Sequence, residues 1–331
     1  MCELPPKVFY EDLIADLARY IWTMKYAPVL FLLLAFQGFG AIEPLPTEDY
    51  AAYKAQLKYL QSEDGNIAYI DRGEGPVVML VHGVPTSSWL YVKVINELVA
   101  SGHRVVAPDL LGYGASDKPD GYDIYHQKRQ AERLLGLMSH LGVEHWTHVC
   151  HDVGGLFTWE MLRMAPEKVE RLVVLNTIMY TEGFKPPMRF KKSGWATFYT
   201  WLYKSKWGSK MMMKATFKNG LSKNTKLSKQ RLKGFYLPMR EGGNKAIYHF
   251  FTQTCHLMPD YTDLFDSLQM PVKIIWGAQD PMLQWQPQKE LVMSALHLKE
   301  EDVTVLDQSA HFIQEEEPER IAQIIAAFTE L

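Results

Sequence analysis

The stretch Val149–Leu156, VCHDVGGL, places an aspartate where a β-prone run, VEHWTH, gives way to helical periodicity, FTWEMLRMAPEK. Cys150, Gly154 and Gly155 give Asp152 small neighbours, as a tight strand–turn–helix junction requires when it displays one side chain. A carboxylate is ionised at neutral pH and needs no base before it attacks. Displacement at an sp³ carbon leaves an ester between Asp152 and the substrate. A water activated by a base must then cleave that ester. His311, in DQSAHFIQEEEPERI, follows the last β-prone run and is the candidate base. Asp280, in WGAQDPML after the run VKIIW, is the acid that would orient the imidazole and stabilise its charged form. The loop VHGVPTSSW after VVMLV completes the set. Its Val84 amide and that of Val153 are the expected oxyanion donors.

Two plainer readings compete. A lone aspartate at a turn is ordinarily a helix N-cap. Against that stand four features in one chain order, each after a β-prone run. The segment HWTHVCHD also gathers His145, His148, Cys150, His151 and Asp152, which resembles a metal cluster. On a strand, however, His148 and Cys150 share one face while His151 points away, and no two-histidine helix motif accompanies them. No metal and no cofactor is expected.

The elements that must position these residues follow from periodicity. KYLQS and NIAYID flank EDG, a hairpin signal. VVMLV, RVVAP, HWTHVC, RLVVLN, VKIIWG and VTVLD are apolar runs separated by helical stretches. The alternation predicts an α/β fold: a mostly parallel, eight-stranded sheet with helices on both faces. Residues 46–177 and 268–331 form this body. Between 178 and 267 the alternation stops, and a helical cap is expected as an insertion after the sixth strand. The order nucleophile, acid, histidine is that of the α/β-hydrolase fold.

The chain has 331 residues, is 47% hydrophobic and carries a formal charge of −3, a globular composition. Its three cysteines match no zinc or disulfide framework. Residues 1–45 are read as an extension. From Met24 a lysine, a ten-residue apolar run and small residues have the layout of a secretory signal. Export to the periplasm or medium is expected if Met24 is the true start, and a cytoplasmic or membrane-associated protein otherwise. From Gly183 to Arg240 the cap has fifteen Lys/Arg and no Asp or Glu. That is either a set of solvated helix faces or a positive field for anionic ligands or membrane headgroups. No nucleic-acid motif is present, and a monomer or small homo-oligomer is expected.

The body resembles the α/β-hydrolases with an aspartate nucleophile, the branch of haloalkane dehalogenases and epoxide hydrolases, and the segments HGVPTSSWLYVKVI, APDLLGYGASDKP and AHFIQEE are particularly similar to haloalkane dehalogenases. The resemblance covers about residues 57–177 and 268–330. It implies a nucleophile at Asp152, a base at His311, an acid at Asp280 and a lid over the site. Dehalogenases of this kind hold the halide with a tryptophan after the nucleophile and an asparagine or glutamate in H-G-x-P. Here those positions are Val153 and Val84, and Phe198 takes the halide position of one subgroup. Epoxide hydrolases instead protonate the emerging alkoxide from lid tyrosines. The insertion offers Tyr199, Tyr203, Tyr236 and Tyr248, of which Tyr199 and Tyr248 sit nearest the expected places, with Phe250 or Phe251 competing for the second. His82, Pro85, Phe198 and Phe250 are the expected pocket wall around a small apolar electrophile. Epoxide hydrolysis is the leading expectation and dehalogenation the second. A receptor that kept the fold, or a cofactor-free oxygenase on the same scaffold, are readings from other classes.

Overall fold

The computed structural model describes residues 42–330 except Pro187 and Leu257. The signal-like run of residues 24–41 lies outside the described residues. Pro44 onwards forms one compact unit. Its strands are β1 (Lys58–Ser62), β2 (Gly65–Arg72), β3 (Val77–Val81), β4 (Arg104–Pro108), β5 (Trp146–Asp152), β6 (Val169–Thr177), β7 (Val272–Gly277) and β8 (Val303–Leu306). They form one eight-stranded sheet in the order β1-β2-β4-β3-β5-β6-β7-β8. The hairpin β1–β2 is antiparallel, as is the β2–β4 pairing, and every later pair is parallel.

Burial explains which runs sit centrally. Every residue of β5 is buried, and β3 and β6 are nearly so, as strands covered on both faces must be. The helices of the body are α1 (Tyr50–Lys54), α2 (Val92–Ala100), α3 (Gln127–His140) and α4 (Gly154–Met164). In α3, Gln127, Gln130, Ala131, Leu134, Leu137 and Met138 turn inward at three- and four-residue spacing, which is one face of a helix.

The insertion contains α5 (Gly194–Lys204), α6 (Gly208–Gly220), α7 (Lys229–Arg240) and α8 (Asn244–His249), the last running into a π-helical turn at Phe250–Thr254. Ser193 and Ser228 start α5 and α7 by accepting from the amides of Ala196 (3.2 Å) and Arg231 (2.9 Å). The ends of the insertion pack on the body. The Lys185 amide donates to the Met282 carbonyl at 2.7 Å and the Gln284 amide to that of Gly183 at 2.8 Å. At the far end α9 (Thr262–Ser267) lays Phe265 edge-on against Trp159 of α4, with ring centroids 4.9 Å apart. The chain closes with α10 (Lys289–Ala295), α11 (Ile313–Glu316) and α12 (Pro318–Thr329). In α12, proline opens the first turn and Ile321, Ala322, Ile325 and Phe328 face the core.

Lid and body are stitched together beside the last catalytic candidate. The Gly220 carbonyl, at the end of α6, accepts from the amides of His311 (2.9 Å) and Phe312 (3.1 Å). Arg231 of α7 is buried. Its Nε donates to Glu315 Oε1 at 2.8 Å, and its guanidinium lies 4.2 Å from the Trp89 ring centroid. The aromatic face takes up the planar cation and the carboxylate neutralises it, so the charge is not left bare in the interior.

Candidate active site

Parallel strands of an open α/β sheet end on one side, and the candidates leave from those ends. Asp152 ends β5 with φ of +53°, left-handed backbone that a residue other than glycine adopts only when its surroundings impose it. Those surroundings are visible. The Asp152 carbonyl accepts from Thr177 Oγ1 at 2.5 Å. A Cβ on Gly155 would lie 2.1 Å from that same hydroxyl, and one on Gly83 would lie 2.3 Å from Asp152 Oδ2. The glycines therefore let β3's loop and α4 close on the strained residue.

One carboxylate oxygen, Oδ2, accepts from the Val84 amide at 2.8 Å, and the Val153 amide also bonds the carboxylate. The other, Oδ1, lies 3.9 Å from His311 Nε2, beyond hydrogen-bond reach. Burial raises the Asp152 pKa to about 6, against the opposing pull of His311 and the two amides. His311 Nδ1 donates to Asp280 Oδ2 at 2.8 Å. Burial alone would favour neutral imidazole, but Asp280 and Asp152 outweigh it, and the net shift of His311 is upward. The Asp280 carboxylate is fully engaged. Its Oδ1 accepts from the amides of Met282 (2.8 Å) and Leu283 (3.0 Å), and its Oδ2 also accepts from Asn176 Nδ2 at 2.8 Å.

Asn176, at the end of β6 with φ of +24°, is a supporting residue that periodicity had passed over. Its Oδ1 accepts from the Gly277 amide at 2.8 Å, so one side chain fixes the end of β7 and the acid that follows it. The only signal was an asparagine closing an apolar run. Two of the histidines of HWTHVCHD are engaged in hydrogen bonds within the body. His148 Nε2 meets Thr158 Oγ1 at 2.8 Å, and its Nδ1 accepts from Trp146 Nε1 at 3.2 Å. His151 Nε2 bonds the His311 carbonyl at 2.9 Å, and burial holds its pKa well below the usual histidine range.

Between body and lid lies a cavity of about 60 Å³. Val84, Pro85, Asp152 and His311 form one wall, with Phe250, Phe251 and Tyr203 opposite. Four expectations for this wall need correction. His82 does not line it: the ring is buried, with Nδ1 2.7 Å from the Gly83 carbonyl and Nε2 accepting from the Leu110 amide at 2.9 Å, so it braces the loop from behind. Phe198 faces outward, because α5 turns Ala196, Thr200 and Tyr203 inward at four- and three-residue spacing and leaves Trp195, Phe198 and Trp201 on the other side. Tyr199 and Tyr248 also stay off the cavity wall. Tyr199 packs at 5.0 Å on Phe190, and Tyr248 at 4.7 Å on Tyr122. Tyr203, one helical turn beyond Tyr199, is the tyrosine that faces the cavity. Burial holds its pKa well above the ordinary phenol value, with the neighbouring Tyr199 adding to that rise and Thr216 opposing it.

Residues 76–318 match the α/β-hydrolase fold family. The chain is 24% identical to epoxide hydrolase 1 of Caenorhabditis elegans over 345 residues, covering 97% of this chain and 82% of that protein. It is 25% identical to a haloalkane dehalogenase of Psychrobacter cryohalolentis over 298 residues, covering 86% and 94%. Among solved structures, an epoxide hydrolase from Vigna radiata superposes with a TM-score of 0.64 at 22% identity, covering 84% of this chain and 99% of that one. With an eight-stranded, mostly parallel sheet, helices on both faces and an insertion after β6, the chain belongs to the α/β-hydrolase fold family and is a hydrolase of that fold.

Proposed function

We propose that this enzyme is an epoxide hydrolase that opens small or medium apolar epoxides to diols through a covalent ester on Asp152. The observation that carries the reading is the makeup of the cavity wall. Opposite the carboxylate stands a lid phenol that burial keeps protonated, Tyr203, and no tryptophan or asparagine is among the described residues lining the cavity. Val84 and Val153 offer only backbone amides, and both are already turned to Asp152. An alkoxide leaving group is thus offered a proton, whereas a departing halide meets aromatic and aliphatic carbon.

The steps follow from the two carboxylate oxygens. Asp152 Oδ1, unencumbered by the amides, attacks a ring carbon. The carbon–oxygen bond of the epoxide breaks, and the alkoxide takes the Tyr203 proton. Forming the ester removes the negative charge on Asp152, one of the charges that raise the His311 pKa, and neutral His311, oriented by Asp280, acts as the base. His311 takes a proton from water. The hydroxide adds to the ester carbon, and charge develops on Oδ2, where the Val84 and Val153 amides stand. Collapse breaks the bond between that carbon and Oδ1, which leaves on the diol with the proton from His311. The water oxygen stays in Asp152, whose carboxylic acid gives its proton to solvent, and Tyr203 recovers one from solvent, so the cycle balances. A cavity of about 60 Å³ is far below the usual several hundred Å³ of ligand sites, so medium-sized substrates require the aromatic wall to move.

The test is intact-protein mass spectrometry of His311→Gln, which permits attack and blocks hydrolysis. Incubation with styrene oxide is expected to add the mass of the whole epoxide to the peptide bearing Asp152. An adduct with a bromoalkane only, its mass that of the alkyl group with bromide released, would replace epoxide opening by dehalogenation.

A further inference from the structure

We propose that the outer face of the lid is a docking surface for an anionic lipid bilayer. Helix α5 presents opposite faces to opposite media. Its inner face buries Ala196, Thr200 and Tyr203, while its outer face carries Trp195, Phe198 and Trp201 at three-residue spacing. These three rings form a ladder, with centroids 5.7 Å apart from Trp195 to Phe198 and 6.1 Å from Phe198 to Trp201. They are 64%, 50% and 49% exposed, and Trp207, at the entry to α6, is 72% exposed. Large apolar side chains massed on one outer face are uncommon on a monomer, where such patches mark interaction sites.

Charge identifies the occupant. Lys191, Lys192, Lys204, Lys206 and Lys210 are all exposed around the ladder. From Lys210 to Lys229 six lysines line a separate groove of about 630 Å³, whose floor includes Phe217, Leu227 and Leu232. The span from Gly183 to Arg240 contains no acidic residue at all. Lysine is depleted from interfaces between proteins, whereas tryptophan and lysine together are the composition of helices seated at a lipid headgroup layer. The rings enter the headgroup zone while the lysine stems lie along the surface with their charges on lipid phosphates. A docked lid would place the helix that carries Tyr203 against the phase in which an apolar substrate dissolves.

Flotation of the full-length chain with lipid vesicles tests this without turnover, so the result is independent of the chemistry at Asp152. The chain is expected to float with vesicles of phosphatidylcholine containing one third phosphatidylglycerol, to float poorly with phosphatidylcholine alone, and to be released by salt. Each lysine at an anionic surface accounts for roughly a fivefold change in partitioning, so K204Q/K206Q/K210Q is expected to lose on the order of a hundredfold. W195A/F198A/W201A, with its fold checked by circular dichroism, is expected to lose roughly tenfold or more. Should that variant fail to fold, Trp207→Ala keeps the question open to measurement, with a smaller loss expected. Absence of flotation by the parent chain would overturn the proposal. So would variants that float as well as the parent, which would assign any lipid binding to another segment. Self-association of the parent that the ladder variant abolishes would overturn it too, and would give the patch to a second copy of the chain.

Discussion

The two walls of the cavity are built on different terms. On the body side the two carboxylates and the imidazole are anchored, while Asp152 Oδ1 and His311 Nε2 face each other at 3.9 Å. Asp152 is gripped by Thr177 and two amides, Asp280 by Asn176, Met282 and Leu283, and His311 by Asp280. On the lid side the wall is mostly aromatic carbon, with Tyr203 and Thr216 bringing the hydroxyls. In the proposed reaction the body would fix the nucleophile and the base, while the lid would select by shape and by a single proton. Chemistry and specificity have separate owners here, and they meet at Gly220, whose carbonyl holds the His311 loop.

Breaking the body side has the largest consequence. His311→Gln is expected to lower turnover roughly ten-thousandfold while the ester accumulates, measured by stopped turnover and mass together. A loss of turnover with no ester would mean that attack itself depends on His311, and the two-step division would fail. Tyr203→Phe sharpens the contrast. It is expected to cost roughly a hundredfold to a thousandfold with epoxides and to leave alkylation of the His311→Gln background by a bromoalkane unchanged. Equal losses with both reagents would reduce Tyr203 to packing.

The join between the two regions is the next point. Gly220→Ala would put a Cβ 2.6 Å from the Phe312 ring and 3.5 Å from the Cβ of His311. The gain in helix propensity is smaller than the cost of displacing that ring, so a net loss of ~1–2 kcal/mol in stability is expected, with a fall in kcat larger than the change in KM. Unaltered kinetics would show that the lid does not position His311.

The smallest effect concerns pH. The nucleophile must be ionised, so kcat/KM should rise through an acid limb at about 6, the value to which burial lifts Asp152. The same burial has a stability consequence whose sign is fixed by linkage. The folded pKa lies above the unfolded one, so the contribution of Asp152 is most favourable below about 4 and is lost as pH rises through about 6. Asp152→Asn, which also tolerates left-handed backbone, is therefore expected to stabilise the fold at pH 7.5 by on the order of 1–3 kcal/mol. The gain should vanish near pH 4. Thermal melts at both values check it, and an equal gain at both would point to packing instead of charge.

Much of this was legible before any coordinates. Buried parallel strands read as continuous apolar runs, so the strand count and the alternation with helices were visible in the order of apolar runs, turn signals and helical periodicity. Asp152, Asp280 and His311 were visible because each must leave the end of a strand on a short loop, and local spacing records that. The lid was another matter. Tyr199 and Tyr203 are one helical turn apart on the same helix, and nothing in GWATFYTWLYK says which of them reaches the cavity. The same ambiguity turned Phe198 outward into an aromatic ladder. Helix rotation is decided by what packs beneath it, from segments distant in sequence.

Local rules of backbone and charge were enough to write the sheet, the strained turn and the order of the three side chains into the chain. Asn176 beneath Asp280, the Gly220 carbonyl on the His311 loop, the buried pair of Arg231 and Glu315, and the choice of Tyr203 each join residues far apart in the chain, separated by 104, 91, 84 and 51 positions in the case of Asn176–Asp280, Gly220–His311, Arg231–Glu315 and Asp152–Tyr203. Such arrangements exist only once the sheet has assembled and the insertion has packed on it, because no short-range pattern encodes which distant partner will fill a given space.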